Sequence, residues 1–176
     1  FPTTYKCLTK NEYYDGNFKI VPIRYEDRLD IMKWRNEQMY HLRQDKPLTE
    51  IAQENYFRGT VSDLFYKEKP NQILFSFLKD DQLIGYGGLV HINWLDKNAE
   101  ISFLMNTELE KLSFSFLWKK YLGLIEKVSF NDFTNLIKLS VWSFKLFPSA
   151  EFKVVVSLFV INIALFLILL VSYVNN

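Results

Sequence analysis

One stretch, Gln72 to Met105, limits what this chain can fold into more than any other. Ile73, Phe75 and Phe77 alternate with Leu74, Ser76 and Leu78, the period of a strand, and the polar run Lys79-Asp80-Asp81-Gln82 then breaks it as a hairpin turn does. A second apolar run, Leu83 to Trp94, contains Gly85, Gly87 and Gly88. Glycines inside a strand mark a bulge or a close backbone approach, and with no helix start behind them they do not read as a phosphate loop. A second turn, Leu95-Asp96-Lys97-Asn98, leads to Ala99–Met105, where Glu100 is the lone acid in an otherwise apolar strand. The segment predicts a three-stranded antiparallel meander.

What surrounds the meander predicts helices on a mixed α+β plan. Phe18–Arg24 reads as a short strand, with Pro22 placing it near an edge. Glu26 and Asp27 open a helix that runs to about Gln44, its apolar face including Leu29, Ile31, Met32, Trp34, Met39 and Leu42. A second helix starts near Thr49, after the break at Asp45-Lys46-Pro47, and a third covers roughly Phe114 to Val128. Residues 1–17 are set apart as an N-terminal extension, with a turn at Asp15-Gly16-Asn17.

The remaining signals exclude more than they assign. A net charge of +1 over 176 residues supplies no field to draw nucleic acid. The single cysteine, Cys7, and the two histidines, His41 and His91, without metal-binding spacing, predict neither a disulfide framework nor a metal site. No secretion signal is expected at Phe1. After Lys153, the last charged residue, the chain is almost wholly apolar to Val174. About 20 such residues suffice for a membrane-crossing helix. Residues 154–174 read as that helix or as a pair of buried strands. In the first case Lys138, Lys145 and Lys153 place the globular part on the cytoplasmic side.

The order strand, helix, helix, three antiparallel strands, helix resembles the opening of the GNAT N-acetyltransferase fold. The residues that carry the likeness are Ile23-Arg24 with Glu26-Asp27, Met32-Lys33-Trp34-Arg35-Asn36, Ile84-Gly85-Tyr86-Gly87-Gly88 and Ala99-Glu100-Ile101-Ser102-Phe103. They resemble the ribosomal-protein-alanine branch and, equally, the amino-sugar N-acetyltransferases of bacterial surface-glycan pathways. The resemblance covers about residues 18–130. It implies a mainly antiparallel sheet flanked by helices, and acetyl-CoA as co-substrate. The acceptor it implies is a primary amine, on a nucleotide-linked amino sugar or at a protein N-terminus.

By the same resemblance Glu100 is the catalytic base, and the main chain of Phe103, Leu104 and Met105 pairs with the pantetheine arm. Arg35, Asn36, His91 and Trp94 meet the acceptor. The family's Gln/Arg-x-x-Gly-x-Gly/Ala turn is replaced by Glu110-Lys111-Leu112-Ser113-Phe114-Ser115, so pyrophosphate binding falls to Lys111, Ser113 and a helix start without glycine. Residues 131–176 depart from the family's closing helix and strands, so the fold reads as incomplete there and ends in the apolar segment. A non-catalytic GNAT-like module, tethered or free, is the alternative reading.

Overall fold

The computed structural model describes residues 1–42, 44–128 and 138–140; expectations for the apolar tail, including the 154–174 span, lie outside these residues. One sheet organises them, with strands in the order β1 (Tyr13–Asp15), β2 (Phe18–Pro22), β3 (Ile73–Lys79), β4 (Gln82–Asn93), β5 (Asn98–Met105) and β6 (Lys138–Ser140). The first five are antiparallel, and β6 runs parallel to β5. The meander therefore forms where the alternation places it. Its first turn is tighter than the four-residue break expected: only Asp80 and Asp81 lie outside the strands, with φ of 48° and 64°. Two successive left-handed residues match the right-handed twist of a hairpin.

The glycines of β4 answer to close approach. A Cβ on Gly87 would lie 2.0 Å from the Ser102 carbonyl oxygen and 2.6 Å from the Tyr121 hydroxyl, and one on Gly88 would lie 1.9 Å from the Ile73 carbonyl oxygen. One register shift flanks Gly85, between the Phe77–Gly85 and Leu78–Leu83 pairs, and the other lies between Val90 and Asn93.

The expected helix from Glu26 to Gln44 is shorter and broken. A 3-10 turn, Tyr25–Asp27, precedes α1 (Arg28–Glu37), and a second 3-10 turn, Met39–His41, follows it. Gln38 leaves the helical conformation (φ −110°, ψ 26°) and is buried, so Met39 and Leu42 fall outside α1. Asp27 does not cap the helix; its buried carboxylate accepts from Arg24 Nε and Nη2 (2.8 and 2.6 Å) and from Ser76 Oγ (2.6 Å). Thr49 does cap α2 (Glu50–Tyr56), its hydroxyl accepting from the Ala52 amide at 3.2 Å. The chain continues through a π-type turn, Phe57–Val61, to Ser62–Leu64.

The third helix is longer than expected: α3 runs Thr107–Ile125, capped by Asn106 immediately after β5. Ser113 interrupts it with φ −144° and ψ 16°, so a second helical run opens at Phe114, where the sequence places the start of the whole helix. Leu117, Trp118, Tyr121, Leu124 and Ile125 face the sheet, and Tyr121 stacks on Phe103 with ring centroids 4.3 Å apart.

Residues 1–17 pack against the sheet, with β1 paired to β2. Tyr5, Cys7, Leu8 and Tyr13 are buried. The Tyr5 hydroxyl donates to the Leu74 carbonyl (2.9 Å) and accepts from its amide (3.1 Å), while the ring stacks on Phe65 at 4.0 Å. A segment rich in polar residues hides these anchors because they recur with neither a strand nor a helix period.

A surface network ties α2 to the start of α1. Glu54 accepts from the Tyr25 hydroxyl, Arg58 and, at 2.7 Å, Arg28 Nε. The Tyr25 hydroxyl first, then the two guanidiniums, hold its carboxyl down at about 2. A carboxyl depressed in the folded chain stabilises it above the unfolded value near 4.3 and loses that contribution as pH falls through the folded value. The stability gap between the parent chain and Glu54→Gln should therefore be full above about pH 5 and narrow towards pH 2. Denaturant midpoints of both proteins across that range check it; a constant gap would show that the ionised form carries no advantage.

Candidate functional site

The hydrogen-bond phase of β5 follows from one contact. The Asn106 amide donates to the Ile84 carbonyl at 2.9 Å, in the register that pairs Tyr86 with Leu104 and Gly88 with Ser102. Antiparallel ladders alternate, so Leu104 and Ser102 turn their main-chain groups towards β4 while Phe103 and Met105 turn theirs outward. β6 lies along this outer edge only at Asn98–Glu100. Among the described residues no strand covers Ile101–Met105 on that side. The Met105 carbonyl accepts from the buried Gln38 Nε2 at 2.8 Å, which leaves the outward Phe103 groups and the Met105 amide facing away from β4. Of the three residues expected to offer main chain here, Phe103 and Met105 are placed to do so. Leu104 is not, because its ladder bonds go to β4.

Gln38 is a residue the sequence reading passes over. Its Nε2 also donates to Thr107 Oγ1 (3.0 Å), whose hydroxyl donates to Glu37 Oε2 (2.6 Å). The end of α1 is thereby fastened to the β5–α3 junction. No periodicity marks a lone glutamine for this work; only the unexpected end of the helix does.

On one face of the sheet, between α1, α2 and the strands, lies a cleft of about 390 Å³ whose lining includes Ile23, Ile31, Arg35, Tyr56, Tyr86 and Ser102. Val90 also lines it, and Val90 stands directly opposite Glu100. Side chains alternate along a strand, so Glu100, two residues from Ser102, lies on the cleft face. Glu100 is half-buried, does not itself line the cleft, and has no hydrogen bond or ion pair among the described residues.

The four acceptor residues expected from sequence separate. Arg35 lines the cleft, with Nη1 donating to the Tyr86 hydroxyl (2.9 Å) and Nε to Gln44 Oε1 (3.2 Å). Asn36 does not line it: its carboxamide clamps the following loop, accepting from the Leu48 amide (2.7 Å) and donating to the Leu48 carbonyl (2.9 Å). His91 is exposed with φ +51° at the irregular end of β4, and Trp94 donates its indole N–H to the Pro70 carbonyl at 2.7 Å. Neither lines the cleft. Tyr86, in the middle of the glycine run, is the lining residue that sequence reasoning left unassigned; burial raises its phenol and keeps it a neutral partner for Arg35. Behind β5, Tyr121 is held neutral by burial as well, its hydroxyl donating to the Ser102 carbonyl at 3.1 Å across Gly87.

Lys111 is exposed on the first run of α3, and Ser113 forms the break that precedes the second. Among the described residues no cluster of His, Cys, Asp or Glu could hold a metal ion, and no helix is long and apolar enough to cross a membrane.

A family model described as "Acetyltransferase (GNAT) domain" matches residues 20–122. No curated protein matches the chain. Among solved structures, the spermidine N-acetyltransferase from Vibrio cholerae in complex with CoA and spermine is similar at a TM-score of 0.50 and 16% identity, covering 64% of this chain and 65% of that one. A chimera of the Vibrio cholerae spermidine N-acetyltransferase SpeG and hSSAT is similar at a TM-score of 0.49 and 17% identity, covering 61% and 62%. This chain thus spans less than two thirds of either structure's length.

Proposed function

Because the chain belongs to the GNAT acetyltransferase domain family, we propose that it moves an acetyl group from acetyl-CoA to a primary amine, on a nucleotide-linked amino sugar or at a protein N-terminus. The observation that carries the reading is the open outer edge of β5. There, among the described residues, the Phe103 amide and carbonyl and the Met105 amide have no strand partner, and a pantetheine arm would meet them as a neighbouring strand would. The similar Vibrio cholerae enzyme, whose structure holds CoA, supports the choice of co-substrate.

Aligning the two reactants is most of the work in such a transfer. The neutral amine nitrogen attacks the thioester carbonyl, the C–N bond forms, the C–S bond breaks, and the sulfur leaves as a thiolate that takes up the proton the nitrogen sheds on becoming an amide. Glu100, or a water it holds, removes the proton from the incoming ammonium; it has no other partner among the described residues and its place on the cleft face suits that role. An outward amide of β5 meets the developing negative charge on the acyl oxygen. Lys111, Ser113 and the helical run opening at Phe114 would hold the pyrophosphate, the helix start supplying partial positive charge in place of a glycine turn.

The absence of glycine from Glu110–Ser115 favours a second reading, a binding module that no longer catalyses. Calorimetric titration of the whole chain with acetyl-CoA separates the two. Weak but measurable heat and a thermal shift are expected; neither signal would leave the binding module standing. By thiol release with an amine acceptor, Glu100→Gln should lower turnover by about tenfold or more, with little change in acetyl-CoA affinity by the same titration. Equal rates for parent and variant at every pH would remove Glu100 from the mechanism.

A further inference from the structure

Among the described residues, Arg35 is the only charged side chain lining the cleft. Of its five N–H donors, one goes to Gln44 and one to the Tyr86 hydroxyl. The other three have no partner among the described residues, and none of the ion pairs there includes Arg35. Two acids on the elements that flank the cleft pair with other cations: Glu54 with Arg28 and Arg58, Asp27 with Arg24. A half-buried guanidinium without a counter-charge is costly, and one fixed by two hydrogen bonds presents its remaining donors in a set direction. That is the arrangement a planar fork needs to grip a carboxylate or phosphate through paired bonds.

We propose that the acceptor amine carries an acidic oxyanion group, carboxylate or phosphate, which docks on Arg35 and makes the cleft selective for anionic amines over polyamines. The inference rests on the acetyl-transfer reading and narrows its acceptor. Glu100 and Arg35 occupy the same face of the sheet, so an acceptor with an ammonium at one end and an acid at the other meets a complementary charge at each. A polyamine meets Arg35 with like charge, and such juxtaposition works against binding.

The test offers the whole chain acetyl-CoA with glucosamine 6-phosphate, glucosaminate, glucosamine or spermidine, and follows thiol release. At least one of the two anionic sugars should exceed glucosamine in kcat/KM by about tenfold or more, with spermidine poorest. Which one does so distinguishes phosphate from carboxylate. Arg35→Met should collapse that ratio towards one, and Arg35→Lys, which keeps the charge but not the fork, should retain part of it. Preference for spermidine, or an equal loss on anionic and uncharged sugars in Arg35→Met, would overturn the proposal. A calorimetric arm with the anionic sugars alone separates this failure from failure of the transfer reading. Arg35-dependent binding without turnover of any amine keeps the anion site and rejects acetyl transfer; turnover without anion preference does the reverse.

Discussion

Replacing Asp27 by alanine should cost the fold about 3 to 5 kcal/mol, the range for removing one partner of a buried ion pair. The Asp27 carboxylate is 4% exposed and takes three donors from two elements: Arg24 Nε and Nη2 from the end of β2, and the Ser76 hydroxyl from the middle of β3. Ser76 is fully buried, and its oxygen also accepts from the Arg24 amide at 3.1 Å. Without the carboxylate, the Ser76 proton loses its acceptor and the Arg24 guanidinium keeps only Glu26 as an acid, 3.5 Å away on the exposed side. Because Arg24 is 30% exposed, water can reach part of it, which puts the expected loss towards the lower end of the range. Asp27→Asn keeps the shape and one acceptor and should fall between parent and alanine. Urea denaturation of the three proteins decides the matter; an alanine variant within about 1 kcal/mol of the parent would mean the pair adds little over its desolvation cost.

The fate of Asp27 shows how far the sequence could be read. An acid ahead of an apolar helix reads as an N-terminal charge, and nothing local tells that its partner is a serine 49 residues on in a strand. The meander was legible because strand alternation is local and strong: β3, β4 and β5 fall where the pattern and its turns place them. Helix ends were less so. Gln38 ends α1 through a bond to Met105, a tertiary contact with no sequence signature, and Asn106 starts α3 well before the apolar stripe begins.

At the site, Arg35 lines the cleft, and Phe103 and Met105 turn main-chain groups away from β4. Asn36, adjacent in sequence, turns to the Leu48 loop instead. Neighbours on a helix point some 100° apart, so a motif can supply one site residue and one clamp. His91 lies at the irregular end of β4 and Trp94 just past it, and no periodicity would reveal the left-handed conformation of His91.

Gly87→Ala should damage stability and acetyl-CoA binding together, and that coupling tests the picture of β5 most directly. The added carbon has no free direction: it would sit 2.0 Å from the Ser102 carbonyl oxygen, which is backbone, and 2.6 Å from the Tyr121 hydroxyl, whose ring is fully buried against Phe103. Relief requires β5 to move off β4 or α3 to lift from the sheet, a rearrangement costing about 3 kcal/mol or more by the standard of overpacked interiors. Either movement shifts Phe103, which pairs with Gly87 and carries the open main-chain edge. Gly59 offers the control, since a Cβ there meets nothing within 4 Å and the residue lies far from this edge in sequence and element. Gly59→Ala should leave acetyl-CoA affinity alone, whereas Gly87→Ala, at a temperature where it remains folded, should weaken it by about tenfold, or 1.4 kcal/mol. If Gly87→Ala is destabilised yet binds acetyl-CoA as the parent does, the ligand does not lie along β5, and the reading of that edge as its seat fails even though the packing argument holds.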